Sequence, residues 1–542
     1  MATNRIRNRG RAAAALLASA AALAPGAPAA ASATQESLLQ DDPQILGARP
    51  VQLDQRLRFL KAIGVDRLRV SVLWSNIAPA ATSQGRPRFP QPGPRFPQAY
   101  PTGAWEPYDN IVVLAKRHGL DLLFTLTGPA PAWATPGRHG REGLFRPDAR
   151  DFQDFATAVG LRYSGLYPIR DRNGRLHRLP RVNGWSIWNE PNFPSWLLPI
   201  WVDNRPKTTK DMIAAAPHHY RKLVDAAWAG LKISGHERDL ILIGETSPRG
   251  QKRPGQLLKS MPPAEFVREL YCMQADLTPY TGAAASRRGC PASRRARREF
   301  SREHPALFKA SGYAHHAYSL EGRRWRNPTW RDPLEDNVPI GNLGRLTRTL
   351  DHAAFLWGGR RRERMGIWIT EYGYQTTPPD PVSGVAPARQ GPLTSWGEYM
   401  AYRNPRVASI AQFLFLDDRP VLGLDEEDEK RWISWQSGLF TQDSRFKPFF
   451  LHYLRPIHTI QRGRAVRVFG GYRPGPNRVP ILARIEYSAG DGRWQTLRNL
   501  LVRNPRGYID AVVRVPTAGF VRILWRDPQR KVPAPSAAVG VR

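Results

Sequence analysis

Gly184-Trp185-Ser186-Ile187-Trp188-Asn189-Glu190-Pro191-Asn192 is the stretch whose reading decides the fold. An apolar run over residues 182–188 stops abruptly at an amide, an acid and a proline. Proline has no amide hydrogen, so a strand ladder cannot run on through it. The pattern predicts a buried strand that delivers Asn189 and Glu190 to its C-terminal end. Parallel sheets built of strand–helix units carry their chemistry at that end, and Glu190 is the first candidate for a catalytic acid.

The same rhythm recurs on both sides of this stretch. Strands are predicted at residues 38–46, 66–74, 120–127, 240–243, 312–318, 366–370 and 407–416, with apolar residues at helical spacing between them. In 66–74, Leu68, Val70 and Val72 fall on one face and Arg69 and Ser71 on the other. About eight strand–helix units follow one another, which predicts an α/β fold, a (β/α)8 TIM barrel over residues 36–455. Beyond Pro456 the texture changes to short β-prone runs with turn signals, predicting an immunoglobulin-like β-sandwich over 458–530. The tail after Asp527 is expected to fray.

Glu371 ends the run Gly366-Ile367-Trp368-Ile369-Thr370 and repeats the Glu190 pattern three units later. In a closed barrel, strands four and seven face one another across the mouth. Two carboxyl groups across a sugar-sized gap are what glycosidic hydrolysis requires. One protonates the leaving oxygen, and the other attacks the anomeric carbon or activates water; a gap of about 5 Å implies retention and a wider one inversion. The competing reading makes both glutamates structural acids paired to arginine. His315 and His316 stand between core packing and ligand contact. No second His or Asp cluster at ligand spacing supports a metal, so no metal and no cofactor is expected.

Trp188-Asn189-Glu190-Pro191-Asn192 on strand four, with Ile369-Thr370-Glu371-Tyr372-Gly373 on strand seven, resembles glycoside hydrolase clan A. That group holds the retaining barrel glycosidases, among them cellulases, β-xylosidases and α-L-iduronidases. The resemblance covers residues 36 to 455. It implies Glu190 as acid/base, Asn189 as the contact to the sugar 2-hydroxyl and Glu371 as nucleophile. It further implies Arg69 as support for Glu371, and His316-Ala317-Tyr318 as the motif that brings a tyrosine to the nucleophile. Arg69 is expected to keep Glu371 ionised. Many members carry a tryptophan on strand eight as the floor of the sugar site. Gln412-Phe413-Leu414-Phe415-Leu416 has none, so Phe415, or Trp432 or Trp435 from the next loop, is expected in its place. Trp133, Trp196 and Trp201 are candidates for stacking on sugar faces. Glu245, at the end of strand five, is left open between a substrate contact and an ion pair.

The first 33 residues read as an export signal: Arg5, Arg7, Arg9 and Arg11, then an apolar stretch over 12–24, then Ala31-Ser32-Ala33. That stretch is shorter than the roughly 20 residues that span a bilayer, so a secreted protein without stable membrane insertion is expected. Removing the signal takes the net charge from +34 to +30. The basic clusters at 287–302 and 360–364 are assigned to the barrel face opposite the mouth and lack the aromatic interleaving of a nucleic-acid groove. Nucleic acid is therefore not an expected partner; a solvated surface and weak electrostatic association with an anionic cell wall remain the two readings. Asp417, Asp418, Asp425, Glu426, Glu427, Asp428 and Glu429 put acid on the catalytic side, against a polyanionic substrate. Cys272 and Cys290 are able to pair in an oxidising compartment. The sequence thus predicts a secreted O-glycosyl hydrolase acting on a poly- or oligosaccharide. The alternative is a catalytically silent, polysaccharide-binding barrel.

Overall fold

Eight parallel strands close into a barrel in the computed structural model, which describes residues 32–137, 141–170, 173–203, 212–251, 259–358, 364–425, 428–476, 479–528 and 532–542. The strands are β1 (Glu36–Gln40), β2 (Arg67–Leu73), β3 (Asp121–Thr127), β4 (Gly184–Ile187), β5 (Leu240–Thr246), β6 (Gly312–His316), β7 (Gly366–Glu371) and β8 (Val407–Phe413). Each pairs with its chain neighbours, and β1 closes on β8. The export signal falls almost wholly outside the described residues, as do Arg360 to Glu363, Glu426 and Glu427.

Period-two alternation separates two interiors. Leu68, Val70 and Val72 of β2 point outward and join the layer beneath the surrounding helices. Leu38, Leu123, Leu242, Ala314, Trp368 and Ala411 point inward and plug the barrel. Gly312 makes room for the plug, since a Cβ there would lie 2.5 Å from Trp368 Cδ1. Above the plug the inward positions turn polar, and Arg69, Ser186, His316 and Thr370 are all buried there.

Several boundaries differ from expectation. The first strand ends at Gln40 because Asp41 caps a short helix, Asp42–Leu46, accepting from Gln44 N. Strand eight ends at Phe413, and strand four spans only Gly184–Ile187. Small hairpins pair Pro168–Arg170 with Leu176–Arg178, and Trp201–Asp203 with Met212–Ala214, inside stretches that carry no strand signal. Cys272 and Cys290 form a disulfide.

From Ile457 the chain forms two antiparallel sheets, one of three strands and one of five. Val466 and Val468 from the first and Ile485 and Ile523 from the second share one core, which is a β-sandwich. The tail is not frayed: Ala534–Pro535 and Val539–Val541 both pair with Gly519–Arg526. A buried polar contact joins sandwich to barrel. Glu398 accepts from Arg473 Nη2 at 2.6 Å and from Tyr508 Oη at 2.7 Å.

Candidate active site

Glu190 reaches the mouth through a backbone forced off the strand. Trp188 and Glu190 have φ of +63° and +36°, a region costly for residues other than glycine. Three bonds hold this turn: Trp188 N donates to Leu126 O, Asn189 N to Thr127 Oγ1 at 2.9 Å, and Glu190 N to Glu245 O at 2.9 Å.

Two bulges aim the other acids. Between β5 and β6 the register steps from Ala314↔Gly244 to His315↔Thr246, leaving Glu245 as the extra residue at φ +48°. Between β6 and β7 it steps from His315↔Ile369 to His316↔Glu371, leaving Thr370 unpaired. An extra residue re-aims the side chains beside it, and here both glutamates turn toward the barrel axis.

The result is a buried cluster of three acids and two bases. Arg69 Nη1 donates to Glu371 Oε1 at 2.8 Å and also to Gln40 Oε1. Its Nη2 donates to Asn189 Oδ1 at 2.6 Å and lies 3.2 Å from Glu245 Oε2. His316 Nδ1 is 2.8 Å from Glu190 Oε1 and 3.3 Å from Glu371 Oε2, and its Nε2 is 3.0 Å from Glu245 Oε2. Tyr318 Oη donates to Glu371 Oε2 at 3.1 Å. Ser186 Oγ and Thr370 Oγ1 each donate to Glu245 at 2.5 Å.

Burial and charge act against each other in this cluster. For Glu245 burial raises the pKa, but Arg69 and His316 overcome it and hold the carboxyl down at about 2. Burial alone would strip His316 of its extra proton, yet Glu371, Glu190 and Glu245 together lift it to about 9. Glu371 departs from expectation. Arg69 does touch it, but burial outweighs His316 and Arg69 and raises it above the ordinary carboxylate value. Glu371 receives Arg69 and Tyr318 as well as a long contact from His316, whereas among the described residues Glu190 receives His316. Donors favour the ionised form and so oppose the effect of burial on Glu371.

The acids open into a cleft of about 250 Å³. Gln40, Asp42 and Ser71 line one side, Phe413, Asp418 and Trp435 another, with Asn189, Glu190, Trp196 and Glu371 between them. Asn189 Oδ1 is committed to Arg69. Trp435 packs on Tyr318, ring centroids 5.0 Å apart, and meets Phe413 edge-on at 5.4 Å.

Some sequence candidates lie elsewhere. Trp133 is not at a sugar face. It is buried against Trp74 and Phe89, with Nε1 donating to Pro79 O at 3.0 Å. Trp201 is buried in its hairpin. Phe415 turns away from the cleft onto Phe59 and Phe440; Phe413 and Trp435 occupy the place proposed for it. His315 is a satisfied core residue between Thr246 Oγ1 and Val338 O, kept neutral by burial. Glu245 makes ion pairs and does not line the cleft. It went unassigned although it carries the same signal as Glu190, an acid at the end of an apolar strand. The acidic loop divides: Asp418 lines the cleft, while Asp417 is buried on Lys447 at 3.0 Å.

Two groups of possible metal ligands occur among the described residues. Both cysteines of His218, Cys272 and Cys290 are in the disulfide. In the other group, Glu190, His316 and Glu371 offer atoms within 4.8 Å of one another, with the histidine nitrogen as donor between the carboxylates. Among the described residues no helix is long and apolar enough to cross a membrane.

No protein-family model matches the sequence, and no curated protein matches it. Solved structures do align with it. A monomeric β-xylosidase from Caulobacter crescentus CB15 is 12% identical, over 89% of this chain and 94% of its own, at TM-score 0.43. A family 1 β-glucosidase from Thermotoga maritima is 11% identical, over 78% and 96%, at 0.44. GH5_18 from Streptomyces cattleya, in complex with GlcNAc, is 18% identical, over 77% and 78%, at 0.40.

Proposed function

We propose that the chain is a secreted glycoside hydrolase that retains anomeric configuration and acts on uncharged sugars. The observation that carries this reading is the carboxylate pair: Glu190 and Glu371 place oxygens within 4.8 Å of one another at the floor of an open cleft. That distance suits direct attack and leaves no room for the interposed water of an inverting enzyme.

In the first step Glu371 forms a bond to the anomeric carbon. The bond to the leaving oxygen breaks, its electron pair stays on that oxygen, and the oxygen takes the proton of Glu190. In the second, Glu190 takes a proton from water as the water oxygen attacks the anomeric carbon. The ester bond breaks and its electron pair returns to Glu371. Asn189 Nδ2 orients the ring, and Trp435 with Phe413 offers it an aromatic wall.

The cleft lining supports an uncharged glycon. Asp42, Asp418, Glu190 and Glu371 contribute acid, and among the described residues no lysine or arginine lines the space, so a uronic acid would meet like charge. The Cys272–Cys290 disulfide supports export to an oxidising compartment. Association with an anionic wall polymer draws on exposed Arg294, Arg295, Arg298 and Arg302 of the helix Arg294–Glu303, and is tested by salt-dependent retention on purified walls.

The deciding experiment is a panel of aryl glycosides with purified protein. Turnover of at least one neutral glycoside with retained configuration by proton NMR is expected. It should be abolished in both Glu190→Ala and Glu371→Ala. Near-normal turnover in either variant sinks the mechanism, and an inverted product removes the nucleophile role from Glu371.

A further inference from the structure

We infer that Glu245 is a positioning residue for both chemical steps: it is the fixed counter-charge that keeps the buried cluster electrically neutral while the negative charge moves between Glu371 and Glu190. This rests on the reaction proposed above.

The argument is a count of charges. Before attack, Arg69 and His316 are cations, Glu371 and Glu245 are anions, and Glu190 carries its proton. The sum is zero. After attack Glu371 is an ester and Glu190 has given up its proton, so the anions are Glu190 and Glu245. The sum is again zero. The moving charge stays within reach of one nitrogen throughout, because His316 Nδ1 lies 3.3 Å from Glu371 Oε2 and 2.8 Å from Glu190 Oε1. Of the three acids only Glu245 keeps its charge in both states.

Its surroundings suit that task. Glu245 is fully buried and does not line the cleft, so it has no route to a substrate. Four neighbours stabilise its ionised form, Arg69, His316 Nε2, Ser186 Oγ and Thr370 Oγ1, and its backbone carbonyl accepts from the amide of Glu190. The last bond ties the counter-charge to the turn that presents the acid/base. With Nε2 held by Glu245, the remaining imidazole proton on Nδ1 can point only at the catalytic pair. The groups that face His316 are Glu190 after β4, Glu245 on β5, Glu371 on β7 and His315 on its own strand, with Arg69 of β2 behind both carboxylates. A net charge left in a buried site is costly, so neutralising Glu245 should drive a proton off His316.

The test is the protonation of the His316 ring, read by nitrogen-detected imidazole NMR in the wild-type protein and in Glu245→Gln. Doubly protonated His316 is expected in the wild type at pH 7.5, and a transition at least one pH unit lower in the variant. The alkaline limb of kcat/KM and that of kcat should move down together by the same interval. Near pH 5.5 the variant should keep activity within about tenfold of wild type, and at pH 8.5 it should fall a further ten- to hundredfold. A singly protonated His316 in the wild type at pH 7.5 overturns the inference without any variant. So does an unmoved titration in a folded Glu245→Gln, whatever its rate. If instead the ring titrates as stated but the wild type cleaves no glycoside, the proposed reaction fails and the charge coupling of Glu245 to His316 stands.

Discussion

Glu190 Oε1 and Glu371 Oε2 share a single donor, Nδ1 of His316, at 2.8 and 3.3 Å. The two acids differ in their surroundings, since Arg69 and Tyr318 both donate to Glu371. Chemical rescue distinguishes the roles. With Glu371→Gly and an activated aryl glycoside, azide or formate should restore turnover by filling the vacated position, and the product should have inverted configuration. With Glu190→Ala and an aryl glycoside of good leaving group, azide should speed the second step and give a glycosyl azide of retained configuration. The wrong configuration from the Glu190 variant would exchange the two assignments. Each acid's loss should cost about a hundredfold or more in unrescued rate.

Tyr318→Phe removes one hydrogen bond and leaves the ring on Trp435. A bond to a charged group contributes about 1.5–3 kcal/mol, so a rate loss of roughly tenfold to a hundredfold is expected. The donor favours ionised Glu371, and its loss should raise that group further. The acidic limb of kcat/KM should therefore move to higher pH, with the melting temperature nearly unchanged. A uniform drop at all pH values would mean that the hydroxyl acts on the substrate instead.

The chain discloses its site where chemistry sits at the ends of barrel strands. Glu190 and Glu371 could be read because each ends an apolar run, whereas Arg69, Asn189, His316 and Tyr318 are reached through the motifs that resemble clan A glycosidases. What stayed hidden depends on pairing between distant strands. The bulge that aims Glu245 is a register step between β5 and β6, and neither strand shows it alone. Trp435 is one of three aromatics left open for the cleft wall, and the choice is made by its packing on Tyr318 and Phe413. Trp133 misled because a tryptophan in a mouth-side loop carries no mark of whether Trp74 and Phe89 will enclose it.

That contrast between tryptophans is open to measurement. Trp435→Ala removes part of the cleft wall and should raise KM tenfold or more, since an aromatic contact contributes about 0.5–1.5 kcal/mol beyond its buried area. Trp133→Ala empties a packed position and should cost about 3–5 kcal/mol of stability while leaving KM alone. A large KM effect from Trp133→Ala would return that residue to the site.

Charge in the cleft makes a further prediction. Asp42 and Asp418 line it beside the catalytic pair, and the Arg69 guanidinium is already bonded to Glu371, Glu245, Gln40 and Asn189. An aryl glucuronide should therefore be cleaved at least about a hundredfold less well than the matching neutral glucoside or xyloside, by the repulsion and desolvation of an unpaired carboxylate. Asp418→Asn should narrow the gap. Equal rates would mean that these carboxylates do not face the bound ring.

Acid should destabilise this protein through its buried histidines before the ordinary carboxylate range is reached. Burial depresses His218, His219, His315, His452 and His458 to about 4. Between that value and the unfolded value near 6.5 the unfolded chain binds more protons, so stability is present above pH 6.5 and lost as pH falls toward 4. Asp41 and Glu265 work the other way: burial raises both to about 7, so the folded state gains from protonating them over the same interval. Five groups against two leave a surplus of roughly three, each on the order of 3 kcal/mol at full effect. Below about pH 4.5 the loss steepens, because Glu245 at about 2 begins to be protonated in the unfolded chain alone. His316, raised to about 9, adds stability that is complete below 6.5 and lost on the way up to 9. Urea midpoints should thus be highest near neutrality and fall sharply between pH 6.5 and 4.5. A flat profile across that interval would show that these histidines protonate within the folded protein.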